Sequence, residues 1–354
     1  MLTSTTRQRL PQKREFPTEV VISIFTRYLT LELQDFYGLV ATSALHDSKE
    51  RFPQPKCHPS TRTRILQRIF NWAESDSAKR ILWLSGSPGA GKSAIAQTIA
   101  ERCKQNIAEC CEQKVRLAAA LFFFRSSSER STSVRLVATL AYEITLFVPG
   151  AKEFITKAIM DDPAIFKKDI NSQLLHLIIR PLALAAREWN SMQQLLIIID
   201  GLDECTDEIE QSDILSAISN ALATSDLPIR FFITSRPESH IRTRFERTDL
   251  QSATVHFVLD IDETATQDIA TYLTTEVSRI RQEPAYAKQH GLQKMLFNLS
   301  LREHPDSLST RPRSSSFLMI DIHSLKRGLS WLWGLCSAER FGHLQKLIFC
   351  ILKF

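Results

Sequence analysis

The chain has 354 residues, 44% hydrophobic and 23% charged. These proportions exclude a collagen-like, mucin-like or wholly disordered protein and supply enough apolar material for a sizeable core. The net charge of +5 is uneven: residues 1–64 carry +4, residues 276–354 carry +6 and the segment between them −5. A nucleic-acid-binding domain would concentrate positive charge in its folded centre, so no nucleic-acid partner is expected.

The seven cysteines stand at 57, 103, 110, 111, 205, 336 and 350, with no C-x-x-C pair and no zinc spacing. Reduced thiols in a cytoplasmic protein are the expectation. No stretch reads as a signal peptide, and no run reaches the roughly 18–20 apolar residues of a membrane span.

In chain order, residues 1–46 read as an N-terminal extension. Its first fifteen residues are polar and basic, and Val20, Val21, Ile24, Phe25, Tyr28 and Leu29 then recur at helical spacing. Residues 47–60 hold three prolines and read as a linker. Ser60 is a candidate N-cap for a helix reaching Glu74. Strand-like runs at 81–85, 117–124, 195–200, 229–234 and 254–260 then alternate with helical stretches at 92–111, 132–148, 151–160, 171–188, 210–223 and 264–282. Pro181 should kink or split its helix. Continuous apolar strands between helices predict an α/β fold, a parallel sheet covered on both faces, over residues 61–262. Residues 283–354 show no clear period and read as a divergent or truncated tail.

Gly86-Ser87-Pro88-Gly89-Ala90-Gly91-Lys92-Ser93 fits G-x-x-x-x-G-K-[ST] without a mismatch. A strand precedes it and a helix follows, which is the context of a phosphate-binding P-loop. Gly89 and Gly91 allow backbone conformations that aim successive N–H groups inward, and the helix N-terminus adds its dipole. Lys92 is placed to reach β- and γ-phosphates, and Ser93 to offer its hydroxyl to Mg²⁺.

The run Leu195–Ile199 ends in Asp200. A buried strand thus delivers a carboxylate where ligands sit in open α/β sheets, and Asp200 is the second expected metal anchor. Asp203 and Glu204 follow. Either could polarise a water for attack on a γ-phosphate, with Glu204 the first choice; the alternative is a turn that caps the next helix. The run 229–234 leads into Ser235-Arg236-Pro237. Arg236 is a candidate γ-phosphate sensor and charge stabiliser, the alternative being a surface arginine. Arg125 and Arg130, after the Phe122–Phe124 run, could face the nucleotide or a neighbouring subunit's site, but the surface reading is favoured.

Asp200-Gly201-Leu202-Asp203-Glu204 after an aliphatic run resembles the signature of NACHT domains, STAND-class P-loop NTPases of signalling and innate immunity. Lys56-Cys57-His58-Pro59-Ser60-Thr61-Arg62, Phe122-Phe123-Phe124 and Thr234-Ser235-Arg236-Pro237 are similar to fungal NLR-like NACHT proteins with a nephrocystin-3-like N-terminal domain. The resemblance implies an ASCE-type P-loop NTPase with a five-stranded parallel sheet in the order 5-1-4-3-2, helices on both faces and the start of a helical lid at 263–282. It also implies ATP/ADP and Mg²⁺ as cofactors, slow hydrolysis, and assembly as a homo-oligomer or with related NACHT proteins. The leading expectation is a nucleotide-dependent signalling or assembly switch. The alternative is a truncated nucleotide-binding interaction protein or decoy without turnover.

Overall fold

The computed structural model describes residues 34, 36–109, 114–188 and 193–259, together with positions 268, 271 and 275. The extension before residue 34, most of the lid segment 263–282 and the tail 283–354 lie outside the described residues.

Five strands form one sheet: β1 (Ile81–Gly86), β2 (Val115–Phe122), β3 (Gln194–Asp200), β4 (Ile229–Ser235) and β5 (Thr254–Leu259). Their order is β2-β3-β4-β1-β5, which read from the other edge is the expected 5-1-4-3-2. The β2–β3, β3–β4 and β4–β1 pairs are all parallel. Every residue of β1 and β4 is buried, and so is β3 from Leu195 onward. Central parallel strands have helices on both faces, so they read as unbroken apolar runs rather than alternating ones.

The helices differ from expectation in three places. The helix expected after Ser60 is α1 (Thr63–Glu74), preceded by Arg62 in a left-handed conformation with φ 56°. Ser60 therefore stands too early to be its cap. Next come α2 (Lys92–Glu109), α3 (Leu136–Phe147) and α4 (Ala151–Asp161). The stretch expected at 171–188 is split into α5 (Ile170–Leu174), a π-turn at Leu175–Ile179 and α6 (Arg180–Glu188). Pro181 explains the split: it has no N–H to donate and its ring crowds the carbonyl four residues back, and a wider turn ahead of it relieves that conflict. After α7 (Glu208–Ala223), two short helices that the sequence reading missed, α8 (Ser239–Phe245) and α9 (Thr248–Ala253), connect β4 to β5. Phe245 of α8 stacks on Trp83 of β1 with centroids 4.4 Å apart. His256 of β5 also stacks on Trp83, at 4.0 Å.

The segment before the P-loop contributes to the core. Phe36, Val40, Ala41 and Ala44 belong to the same buried cluster as Leu121 and Phe123. Leu45 forms an antiparallel bridge with Leu121 of β2. β2 is an edge strand, and an uncovered edge exposes unpaired backbone groups. His46 and Glu143 of α3 lie beside it, each 1% exposed, with His46 Nδ1 3.0 Å from Glu143 Oε1. The other Glu143 oxygen accepts the Ala120 N–H. Burial pushes the Glu143 carboxyl up, and His46 partly opposes this.

Removing Glu143 would leave the imidazole and a strand N–H without an acceptor in the interior. Glu143→Ala is expected to lose about 3–5 kcal/mol of unfolding free energy. Glu143→Gln, which can still accept from Ala120, should lose less. Urea denaturation of the two variants against wild type checks the order.

Candidate functional site

The phosphate loop is a compact turn. Gly86 closes β1, and a β-carbon there would lie 3.0 Å from the Leu259 β-carbon and 3.1 Å from its carbonyl oxygen. A side chain there would have to push these neighbours back by a few tenths of an ångström. Ser87, Pro88 and Gly89 form the exposed tip, while Ala90 is buried. The Ala90 N–H donates to the Ser87 carbonyl across 3.2 Å. Gly89 (φ 79°) and Gly91 (φ 93°) take the left-handed conformations that the motif requires. Around Gly91 an added β-carbon would meet nothing within 4 Å, so the loop is open there. Lys92 Nζ lies 2.8 Å from the Gly86 carbonyl oxygen and 3.0 Å from that of Ser87, which folds the ammonium back over the loop. Arg62 braces this turn. Its guanidinium donates to the Ala90 carbonyl at 3.1 Å, and its backbone N–H donates to Asp268 at 2.9 Å.

The second group of predicted residues gathers at the C-terminal ends of β3 and β4. Asp200 is 3% exposed, and its Oδ1 accepts the Thr234 hydroxyl at 2.6 Å. Thr234 Oγ1 in turn accepts the Gly201 N–H at 3.0 Å. Gly201, at φ 73°, then turns the chain into the short 3₁₀ segment Leu202–Glu204. Thr234 stands in the strand-end motif Thr234-Ser235-Arg236-Pro237, but what makes it the partner of Asp200 is the strand register, which is tertiary.

Asp203 and Glu204 have different surroundings. Asp203 is 2% exposed. Its Oδ1 accepts the Arg236 N–H at 2.9 Å, and its Oδ2 pairs with Arg236 Nε at 3.1 Å. Both oxygens are engaged in fixing Arg236. Glu204 is half-buried and its Oε2 accepts the Arg125 N–H at 3.1 Å. Burial pushes its carboxyl up, opposed by that N–H and reinforced by the negative charges of Asp203 and Asp200. A carboxyl shifted in this direction is a stronger base once ionised.

Arg125 is exposed, as the surface reading expects, and Arg130 is half-buried, yet both have partners at this tip. Arg125 also donates to the Asp203 carbonyl at 2.8 Å, and Arg130 Nε donates to the Phe122 carbonyl at 3.0 Å. A third arginine, Arg51, was hidden in the supposed linker. Its guanidinium lies 3.5 Å from the Phe122 ring centroid. Burial lowers its pKa to about 10, with Asp200 the foremost opposing influence. Nothing in the Pro-rich stretch 47–60 signals such a role.

Mg²⁺ prefers oxygen donors and keeps much of its coordination for water and phosphate. A serine hydroxyl at the start of α2 and a strand-end carboxylate suit that preference. Among the described residues no group of three or more His, Cys, Asp or Glu is placed to hold a metal ion.

Asp203→Ala strips Arg236 of its acceptors. It is expected to cost about 1–3 kcal/mol of stability. Glu204→Ala, at a less buried position, should cost less; urea midpoints of the two variants check this.

Comparison with known proteins places these motifs in a family. A solved structure of a Walker-type ATPase of Pyrococcus abyssi is 14% identical, with 83% of this chain and 78% of that chain covered and a TM-score of 0.37. A Drosophila ORC structure, bound to DNA, is also 14% identical, with 97% and 92% covered and a TM-score of 0.27. No curated protein matches. The family described as "Nephrocystin 3, N-terminal" matches residues 60–236, half of the chain, a span that runs from just before α1 through the P-loop and Asp200 to Arg236. The five-stranded sheet and the intact P-loop agree with that match, and the chain belongs to the nephrocystin 3 N-terminal family of P-loop NTPases.

Proposed function

We propose that this protein binds ATP and ADP with Mg²⁺ and works as a NACHT-type (STAND) switch, hydrolysing ATP slowly to time a signalling or assembly state. The observation that carries this reading is the Asp200–Thr234 pair at the ends of two neighbouring parallel strands, in a sheet whose β1 runs directly into an intact P-loop. Ligands of open α/β sheets sit at that edge.

The residue roles follow from their chemistry. The loop amides and the α2 N-terminus bind phosphate oxygens. Lys92 neutralises the β- and γ-phosphates. Ser93 and Asp200 hold the metal, with Thr234 orienting the carboxylate through its hydroxyl. When bound, Mg²⁺ neutralises charge on the β- and γ-oxygens. Glu204 accepts a proton from the attacking water. Asp203 is a positioning residue that holds Arg236, and Arg236 senses the γ-phosphate.

Assembly as a homo-oligomer or with related NACHT proteins, and a cytoplasmic location, belong to the same proposal. Among the described residues no helix is long and apolar enough to cross a membrane.

Lys92→Ala is expected to weaken both ATP and ADP by tenfold or more, on the order of one lost charge-assisted contact. Unchanged binding in a fluorescent-nucleotide titration would mean that the P-loop does not hold the phosphates. Glu204→Gln should keep nucleotide affinity and lower turnover by about 10²–10⁴-fold, the usual range for loss of a general base. Arg236→Ala should weaken ATP selectively and spare ADP. Equal loss of both nucleotides would make Arg236 a purely structural residue.

A further inference from the structure

Arg51 lies outside the span that matches the family, yet it is built into the surroundings of Asp200. Its NH1 donates to three acceptors: the Leu45 carbonyl at 3.2 Å, the His46 carbonyl at 3.1 Å and Gln97 Oε1 at 2.9 Å. Gln97 is on α2, four residues after Ser93, so the two share a helix face one turn apart. The guanidinium packs on Phe122, and Phe122 is the register partner of Asp200. The next residue, Phe123, donates its N–H to the Asp200 carbonyl at 2.9 Å. Arg51 is thus fastened to the near neighbours of both expected metal anchors, one on the helix and one on the strand.

Its charge is permanent. Even with the lowering that burial causes, an arginine stays protonated at neutral pH. A cross-link that only pinned Leu45 and His46 would need donors, not a charge. Asp200 is the carboxylate that most opposes the lowering of its pKa, and Arg130, in the turn after β2, adds to that lowering.

We infer that Arg51 is a resident counter-cation of Asp200, a positioning residue against which a divalent cation at Ser93 and Asp200 must compete. The inference rests on the nucleotide reading above. It makes the segment around residues 36–52 an input to the site: with Arg51 seated, Asp200 is partly neutralised and the metal adds less to nucleotide affinity. A partner that lifted this segment from β2 would withdraw the cation and strengthen that coupling.

The test uses the full chain and a fluorescent, non-hydrolysable ATP analogue, titrated with saturating Mg²⁺ and again with EDTA. The quantity read is the gain in affinity that Mg²⁺ brings. In Arg51→Met this gain should rise by about three- to thirtyfold, the order expected for removing one nearby unit charge in a half-buried site. Arg51→Lys, which keeps the charge, should stay near wild type. Arg51→Gln removes the charge while keeping a polar donor in the segment, and should behave as Arg51→Met does. It also serves as the test variant should Arg51→Met fail to fold.

A gain that is equal in all variants, or smaller in the charge-free ones, overturns the inference. A nucleotide-free measurement stands beside it: the urea midpoints of Arg51→Gln, Asp200→Asn and the double variant. Non-additive effects are expected, and strict additivity would also overturn the inference. Wild type that binds no tighter with Mg²⁺ than with EDTA would sink the switch reading and this inference together. Wild type that shows the gain, beside a flat variant series, sinks the inference alone.

Discussion

Parallel pairing of three buried strands is the constraint on which the rest depends. β3, β4 and β1 lie side by side with their C-terminal ends at one edge, and they hold that order because none of them can expose a face to water. Register then fixes chemistry. Ile199 pairs with Ile233, so the next residues on the two strands, Asp200 and Thr234, stand level and form their 2.6 Å hydrogen bond. Ser85 pairs with Ser235, so β1 ends level with β4. A one-residue slip would turn each of these side chains to the opposite face of the sheet.

Charge at the edge is divided between tasks. Of three acidic residues within five positions, Asp200 takes a hydroxyl, Asp203 takes an arginine and Glu204 takes a single backbone N–H. The least committed is Glu204, whose carboxyl burial pushes up. The arginines are arranged by backbone carbonyls as much as by acids: Arg125 on Asp203, Arg130 on Phe122 and Arg51 on Leu45 and His46. Carbonyl partners locate a guanidinium without cancelling its charge, so the positive field stays available to the carboxylates nearby.

The same arrangement explains why the segment ahead of the P-loop is part of the fold. An edge strand as apolar as β2 needs a cover, and the residues that supply it carry Arg51 in the same stretch. The buried His46–Glu143 pair, tied to the Ala120 N–H, locks that cover to β2 and α3. Residues 36–46, expected to lie in an extension ahead of the core, contribute Phe36, Val40, Ala41 and Ala44 to it.

Local physics explains which features were legible in the sequence. The P-loop is a contiguous string whose glycines are required by backbone angles within that string, so Gly86–Ser93 could be read directly. The strands were legible because full burial leaves unbroken apolar runs, and Asp200 because it ends one of them. Other features depended on contacts far apart in sequence. The division of labour between Asp203 and Glu204 was decided by Arg236, 33 residues beyond Asp203, and the place of Arg51 by Phe122 and Gln97. The short helices α8 and α9 were missed because a connection of one or two turns carries too little period to recognise, although Phe245 closes the stack on Trp83. The sequence by itself determined the phosphate loop, the strand set and the acidic strand end, since each is written in consecutive residues. Tertiary structure alone decided which acid holds which arginine and which segment covers the sheet edge, because those partners meet only when distant parts of the chain are packed together.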